Sequence, residues 1–210
     1  MNNSPRIECF SFRGKDKSLE SSNYVLFNPT SKPGTAVLAG SCAAHESIGS
    51  QVACRLALEH FSTSLLQYFD HEGADLTGDE FGLQALEAAF REANRNVYSF
   101  GHSLAAGGRM AAVFVALIYL VDDKGNGSFC VGRVGNGSAY LFRDGELFPF
   151  FEQSSGDSDP NTGNFLGANS LVSVDLANVP VEASDRVFLF SEPLDAMGEH
   201  ELHALADEIR

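Results

Sequence analysis

The chain has 210 residues, 44% of them hydrophobic, and carries a formal charge of −14 from 28 acids against 14 bases. That length supports one domain with a sizeable core. The acidic balance argues against nucleic acid or an anionic membrane as partner, because both call for a basic face. No apolar run reaches the roughly 18 residues of a membrane-spanning helix. The start, MNNSPRIECF, lacks a basic stretch followed by an apolar core, so a cytoplasmic location is expected. Cys9, Cys42, Cys54 and Cys130 are scattered and form no CxxC pair, so buried reduced thiols are expected rather than a metal or disulfide framework.

In chain order, residues 6–13 read as a strand with apolar residues on both faces, 24–27 as a second and 35–39 as a third, ending at Gly40. From about Glu46 the period changes. Ile48, Val52, Leu56, Phe61, Leu65 and Phe69 recur every three to five residues, as on an amphipathic helix. A second helix is expected over 79–100, with Asp79 as N-cap and Leu83, Leu86, Phe90, Ala93 and Val97 on one face. Residues 101–108 read as a loop. Residues 111–121 (AAVFVALIYLV) are continuously apolar and β-branched, which predicts a central strand buried on both faces.

Residues 131–150 (VGRVGNGSAYLFRDGELFPF) hold two turns. Gly135-Asn136-Gly137 can adopt positive φ throughout and would display one side chain, Asn136, at a sheet end. Asp144-Gly145 is a two-residue hairpin signal. Residues 151–163 read as a loop, 171–176 and 186–190 as strands separated by Pro180 and a turn at 183–185, and 199–209 as a closing helix. Strands come in runs and the two long helices are adjacent, an antiparallel α+β order, in a single domain over 1–210.

With the elements placed, short motifs fall on the strand ends. Residues 134–145 (VGNGSAYLFRDG) resemble the V-G-D-S-R-A-Y-L-x-R-D-G segment of the metal-dependent protein phosphatases (PPM family, type 2C). Residues 36–45 (AVLAGSCAAH) are similar to that family's V-A-D-G-M-G-G-H, 108–117 (GRMAAVFVAL) to G-M-G-T-T-L-V-A-L, 165–167 to its L-G element, and 186–194 (RVFLFSEPL) to D-x-x-L-L-x-S-D-G-L. Residues 21–23 stand where the family has N-E-D. The resemblance implies two stacked, mainly antiparallel sheets flanked by pairs of helices, and a protein serine/threonine phosphatase using Mg²⁺ or Mn²⁺ held by carboxylates.

The implied ligands are missing. Asn23 stands for the N-E-D acid, Gly40 and Ser41 for the D-G pair, Asn136 for the aspartate of G-D-S, and Glu192 for the aspartate of S-D-G, followed by Pro193. Only Glu192 keeps a charge, and the family's final G-D-N strand has no counterpart before Arg210. The resemblance therefore implies an inactive, regulatory phosphatase-like domain without a cofactor, binding a kinase, a phosphoprotein or an active phosphatase. A homodimer through a sheet edge left open by the missing strand is a further expectation. The alternative is an active phosphatase with a rearranged metal site built on Glu192, Asp195 and His45.

Other motifs carry little. Asp157, Asp159 and Asn161 alternate like the start of a calcium loop, but Thr162 and Ala168 stand at its glycine and glutamate positions. His200 and His203 lie three apart, whereas H-E-x-x-H needs four. His45, without an acid at position 40, reads as a surface or capping histidine. Cys42 is the one thiol near the altered site. Phe148, Phe150 and Phe151 read as core and sheet-edge packing.

Overall fold

The structure is a computed structural model, and it describes residues 6–8, 22–71, 78–104, 110–122, 124–152, 163–191, 201 and 204. Within these, the strands are β1 (Ser22–Phe27), β2 (Ala36–Ala43), β3 (Ala112–Val121), β4 (Gly127–Val134), β5 (Ser138–Arg143), β6 (Glu146–Pro149), β7 (Asp175–Pro180) and β8 (Arg186–Phe190). The helices are α1 (Ile48–His71) and α2 (Asp79–Ser103). One sheet runs β1-β2-β3-β4-β7 and the other β6-β5-β8, with every pairing antiparallel. This is the expected α+β architecture.

The apolar run that predicted a doubly covered strand is β3. Its even-numbered residues Ala112, Phe114, Ala116, Ile118 and Leu120 join the core under the helices. Its odd-numbered residues Val113, Val115 and Tyr119 face the second sheet, packing with Phe165, Ala139 and Leu141 respectively. Period 2 on a strand produces this division directly. Under the helices, Phe61, Phe90 and Phe114 meet with centroids 5.0–5.2 Å apart. Full burial of such a ring contributes about 1.5–3 kcal/mol, and each tilted or edge-on ring pair adds about 0.5–1.5 kcal/mol.

The hairpin signal is borne out. Asp144 and Gly145 both have positive φ, 53° and 84°, and Arg143 pairs with Glu146 across them. Two positive φ angles define the primed turn whose twist matches the strands. At Gly135-Asn136-Gly137, however, only Gly135 (φ 88°) takes the left-handed region.

Several boundaries move. β2 does not end at Gly40 but continues to Ala43, because β3 offers partners as far as Ala112. α1 starts at Ile48, where the Ser47 hydroxyl accepts the Ser50 N–H at 3.0 Å. Asp79 is the first helical residue of α2, and Gly78 is the N-cap. α2 continues through Gly101 to Ser103.

The strand expected at 171–176 lies at Asp175–Pro180 instead. Val172, Val174 and Leu176 do point alternately into the core. The ladder starts late because β4 ends at Val134, and Asp175 pairs with Arg133 at its last rung. Pro180 closes β7 at a sheet edge, where its missing N–H is tolerated. Residues 6–8 are not in a strand, although Ile7 packs against the inter-sheet core. Residues 9–13 lie outside the described residues. So does the closing helix over 199–209, except residues 201 and 204, which are helical.

Candidate functional site

Strand register gathers the motifs at one end of the stack. Asn23 on β1 pairs with Ser41 on β2, Ser41 with Phe114 on β3, and Phe114 with Val134 on β4. The Gly135-Asn136-Gly137 turn follows Val134 directly. The second sheet reaches the same place through β8, whose Phe190 pairs with Ser138. A Cβ on Gly137 would lie 3.1 Å from the Phe190 carbonyl and 3.6 Å from Val115, and one on Gly40 would lie 3.5 Å from Ser191 Cβ and 3.9 Å from Val115. The Cys42 thiol donates to the Ser191 carbonyl at 2.8 Å.

Asn23, Gly40, Ser41 and Asn136 thus lie towards one end of the sheet, with Ser41 turned to the helix α1 through Cys54 and Gly40 turned to the second sheet at Ser191. Glu192 and Asp195 lie outside the described residues, as do His200, His203 and the acids of 157–161. His45 is half-buried. Its ring meets Phe165 edge-on at 6.2 Å and its carbonyl accepts the Ser47 N–H at 2.8 Å, so it packs rather than caps with its side chain.

Each polar group here has a particular state. Ser41 is fully buried and its hydroxyl donates to the Val113 carbonyl at 2.9 Å. It also reaches Cys54, whose thiol burial pushes up to about 11 against the lowering effect of that hydrogen bond, leaving it inert at neutral pH. Cys42, Cys54 and Cys130 are all buried and not joined in disulfides. The Asn136 Oδ1 is enclosed and has no hydrogen-bond partner among the described residues. Such an acceptor costs about 1–3 kcal/mol until something donates to it.

Two residues that sequence reasoning missed hold the frame. Arg133 is buried on β4. It donates from Nε to Asp175 at 2.8 Å, from Nη1 to the Gly137 carbonyl at 3.2 Å and from Nη2 to the Glu152 carbonyl at 2.8 Å. Its guanidinium also lies 4.8 Å over the Phe151 ring. A lone cation between apolar residues in FCVGRVG was the available signal. Asn94, buried on α2, accepts from the Gly167 N–H at 2.8 Å and donates to the carbonyls of Asn169 and Ser170. It sits four residues after Phe90 and three before Val97, a polar group on the apolar face. Of the three phenylalanines, Phe150 and Phe151 pack between the sheets, while Phe148 on the edge strand β6 is 45% exposed.

A hard dication needs several oxygen donors, mostly carboxylates. The described positions supply two carboxamides, one hydroxyl already committed to a backbone carbonyl, and a glycine with no side chain. Among the described residues no cluster of three His, Cys, Asp or Glu is placed to hold a metal ion. This donor set does not fit the family's cations, so no catalytic step through a metal is assigned to it. Among the described residues, no helix is long and apolar enough to cross a membrane.

The fold is found in known phosphatases. The S. agalactiae serine/threonine phosphatase superposes with a TM-score of 0.71 at 15% identity, over 96% of this chain and 85% of that one. The Mycobacterium tuberculosis serine/threonine phosphatase PstP/Ppp gives 0.59 at 20% identity, over 86% and 75%. PppA, a regulatory component of T6SS in Pseudomonas aeruginosa, gives 0.59 at 14% identity, over 89% and 82%. No curated protein matches the chain in sequence. The protein phosphatase 2C family model matches residues 35–201, most of the chain, and the chain belongs to the protein phosphatase 2C family.

Proposed function

We propose that this chain is a catalytically inactive phosphatase-like domain that acts by binding a protein in serine/threonine phosphorylation signalling. The observation that carries the reading is the neutral site. Asn23, Gly40, Ser41 and Asn136 stand where the family's motifs carry acids or a metal-binding glycine, all lie towards one end of the sheet, and none of them offers a carboxylate. A pair of dications there would leave most of their charge uncompensated in a partly desolvated pocket, at a cost of several kcal/mol per ion. Apart from the Asn136 Oδ1, the frame around the site is held by hydrogen bonds, through the Arg133 network and the Asn94 network. A maintained frame without ligands suits recognition better than hydrolysis.

The test is hydrolysis of a phosphoester and of a phosphoserine peptide by purified protein with Mn²⁺ or Mg²⁺. Turnover no faster than buffer is expected. Robust, metal-dependent turnover would overturn the reading, and its loss in Glu192→Ala would identify the rearranged site instead.

A further inference from the structure

We infer that Asn126, in the turn between β3 and β4, is a site of spontaneous deamidation restrained by Asp122, while the same dipeptide at Asn136-Gly137 is shielded by the fold. The inference is independent of the inactive reading. β3 pairs with β4 from Phe114↔Val134 at the site end to Val121↔Gly127, so this turn lies at the opposite end of the sheet. The sequence supplies its own control. Gly-Asn-Gly-Ser occurs twice, at 125–128 and at 135–138, one copy at each end of β4. Gly125 and Gly135 have nearly the same φ, 85° and 88°. With the tetrapeptide and its leading glycine matched, a difference in reactivity has to come from what surrounds each copy.

The reaction needs only water. The Gly127 amide nitrogen loses its proton to solvent and attacks Asn126 Cγ. The new N–C bond forms as the Cγ–Nδ2 bond breaks, and ammonia leaves with a proton from water. Water then opens the cyclic imide at either carbonyl, giving aspartate or isoaspartate. The net change is amide plus water to carboxylate plus ammonium. Glycine on the C-terminal side suits the attack, because it has no Cβ to obstruct the ring and its backbone is the most permissive. The Asn126 Cα–C bond has to turn, and the tip of this hairpin has room for it. Asn126 is exposed, and a Cβ on Gly125 would meet nothing within 4 Å. What opposes the rotation is a set of exposed bonds. The Asp122 carboxylate accepts from the Asn126 N–H at 2.7 Å and from Nδ2 at 2.9 Å, and the Asn126 carbonyl accepts from the Asp122 N–H at 2.9 Å. Opening solvent-facing bonds at the end of a hairpin belongs to the low end of local-opening free energies.

At 136 the same rotation is blocked. Asn136 is half-buried with its Oδ1 enclosed, and Gly137 is buried, its Cβ position 3.1 Å from the Phe190 carbonyl and 3.3 Å from Val113 Cγ1. Arg133 holds the Gly137 carbonyl, Val134 lies in the core, and Ser138 pairs with Phe190. Both sides of that copy are therefore fixed. Deamidation at 126 also changes its own surroundings. The Nδ2 hydrogen bond from Asn126 is foremost among the causes that hold the Asp122 carboxyl below its ordinary value. In the product that donor becomes an acceptor facing Asp122. Isoaspartate also adds a methylene to the main chain beside the carbonyl that takes the Asp122 N–H.

Peptide mapping by mass spectrometry tests this on the natural chain held in mildly alkaline buffer made with heavy-oxygen water, which labels each new carboxylate. In the folded chain, conversion at Asn126 is expected to be at least about tenfold faster than at Asn136. In unfolding urea the two should agree within about threefold, because the tetrapeptides are the same. Equal rates in the folded chain overturn the inference. A tenfold ratio that persists in urea overturns it too, since the difference would then lie in sequence rather than fold. Asp122→Ala should speed conversion at 126 by about three- to tenfold and leave 136 unchanged. An unchanged rate at 126 in that variant overturns the restraint by Asp122. The ratio in the natural chain decides the site whether or not the variant folds.

Discussion

Replacing Arg133 with methionine should loosen the turn that carries Asn136, and the structure allows the size of the effect to be worked out. Methionine keeps much of the apolar stem, so lost packing is a small part of the change. What disappears is a set of three donations, to the carbonyls of Gly137 and Glu152 and to Asp175, and the stack on Phe151. Asp175 is 47% exposed and rehydrates, so that pair counts for at most about 1 kcal/mol. The Gly137 carbonyl is buried, and leaving it without a donor costs about 1–3 kcal/mol. The Glu152 carbonyl is nearer solvent and adds about 1 kcal/mol. The total is about 2–5 kcal/mol, a large share of the roughly 5–15 kcal/mol that holds a typical domain together. Urea unfolding followed by circular dichroism measures it, and hydrogen exchange at residues 135–138 shows where it acts. A loss below about 1 kcal/mol, or unchanged exchange in the turn, would refute the assignment of Arg133 as its anchor.

Three other measurements probe the frame. Gly167→Ala should cost more than about 2 kcal/mol, because its φ of 85° is strained for alanine and the new methyl meets Val97 and the Met110 carbonyl. Gly40→Ala should stay within about 1 kcal/mol of the natural chain in the same urea titration, and a larger loss would show that the site end is tighter than its distances imply. At Asp185, burial works to raise the carboxyl, but the Arg143 hydrogen bond, the Glu182 N–H and the Arg143 charge outweigh it and hold the carboxyl below its ordinary value. A depressed folded-state pKa gives stability that is present above about pH 4 and lost as pH falls through the folded value, so Asp185→Asn should flatten the acid limb of the stability curve. An unchanged acid limb would remove Asp185 from that account.

Much of the architecture was legible because its signals are periodic. The run at 111–121 could only be a doubly buried strand, and the steps from Phe61 to Phe69 and from Leu83 to Val97 could only face a core. The site was legible at the level of register, since motif order alone placed Asn23, Gly40, Ser41 and Asn136 on neighbouring strand ends. What escaped was set by partners far away in sequence. β7 begins at Asp175 because β4 runs out of residues, a limit invisible from within 171–176. Arg133 and Asn94 look like exceptions in apolar stretches, and their reasons lie 42 and 73 residues further on, at Asp175 and Gly167. The thiol at Cys54 gets its character from a serine on another element.

β3 has one consequence for how the molecule comes apart. Phe114 belongs to the helical core and Val113 and Val115 to the cores between the sheets, so two hydrophobic compartments share a single wall one residue thick. Neither compartment can empty while the wall stands, and the wall cannot leave without emptying both. The domain should therefore open as one cooperative unit. A change felt between the sheets at Val115, below Gly40 and Gly137, reaches the helices through the adjacent peptide rather than through any dedicated route.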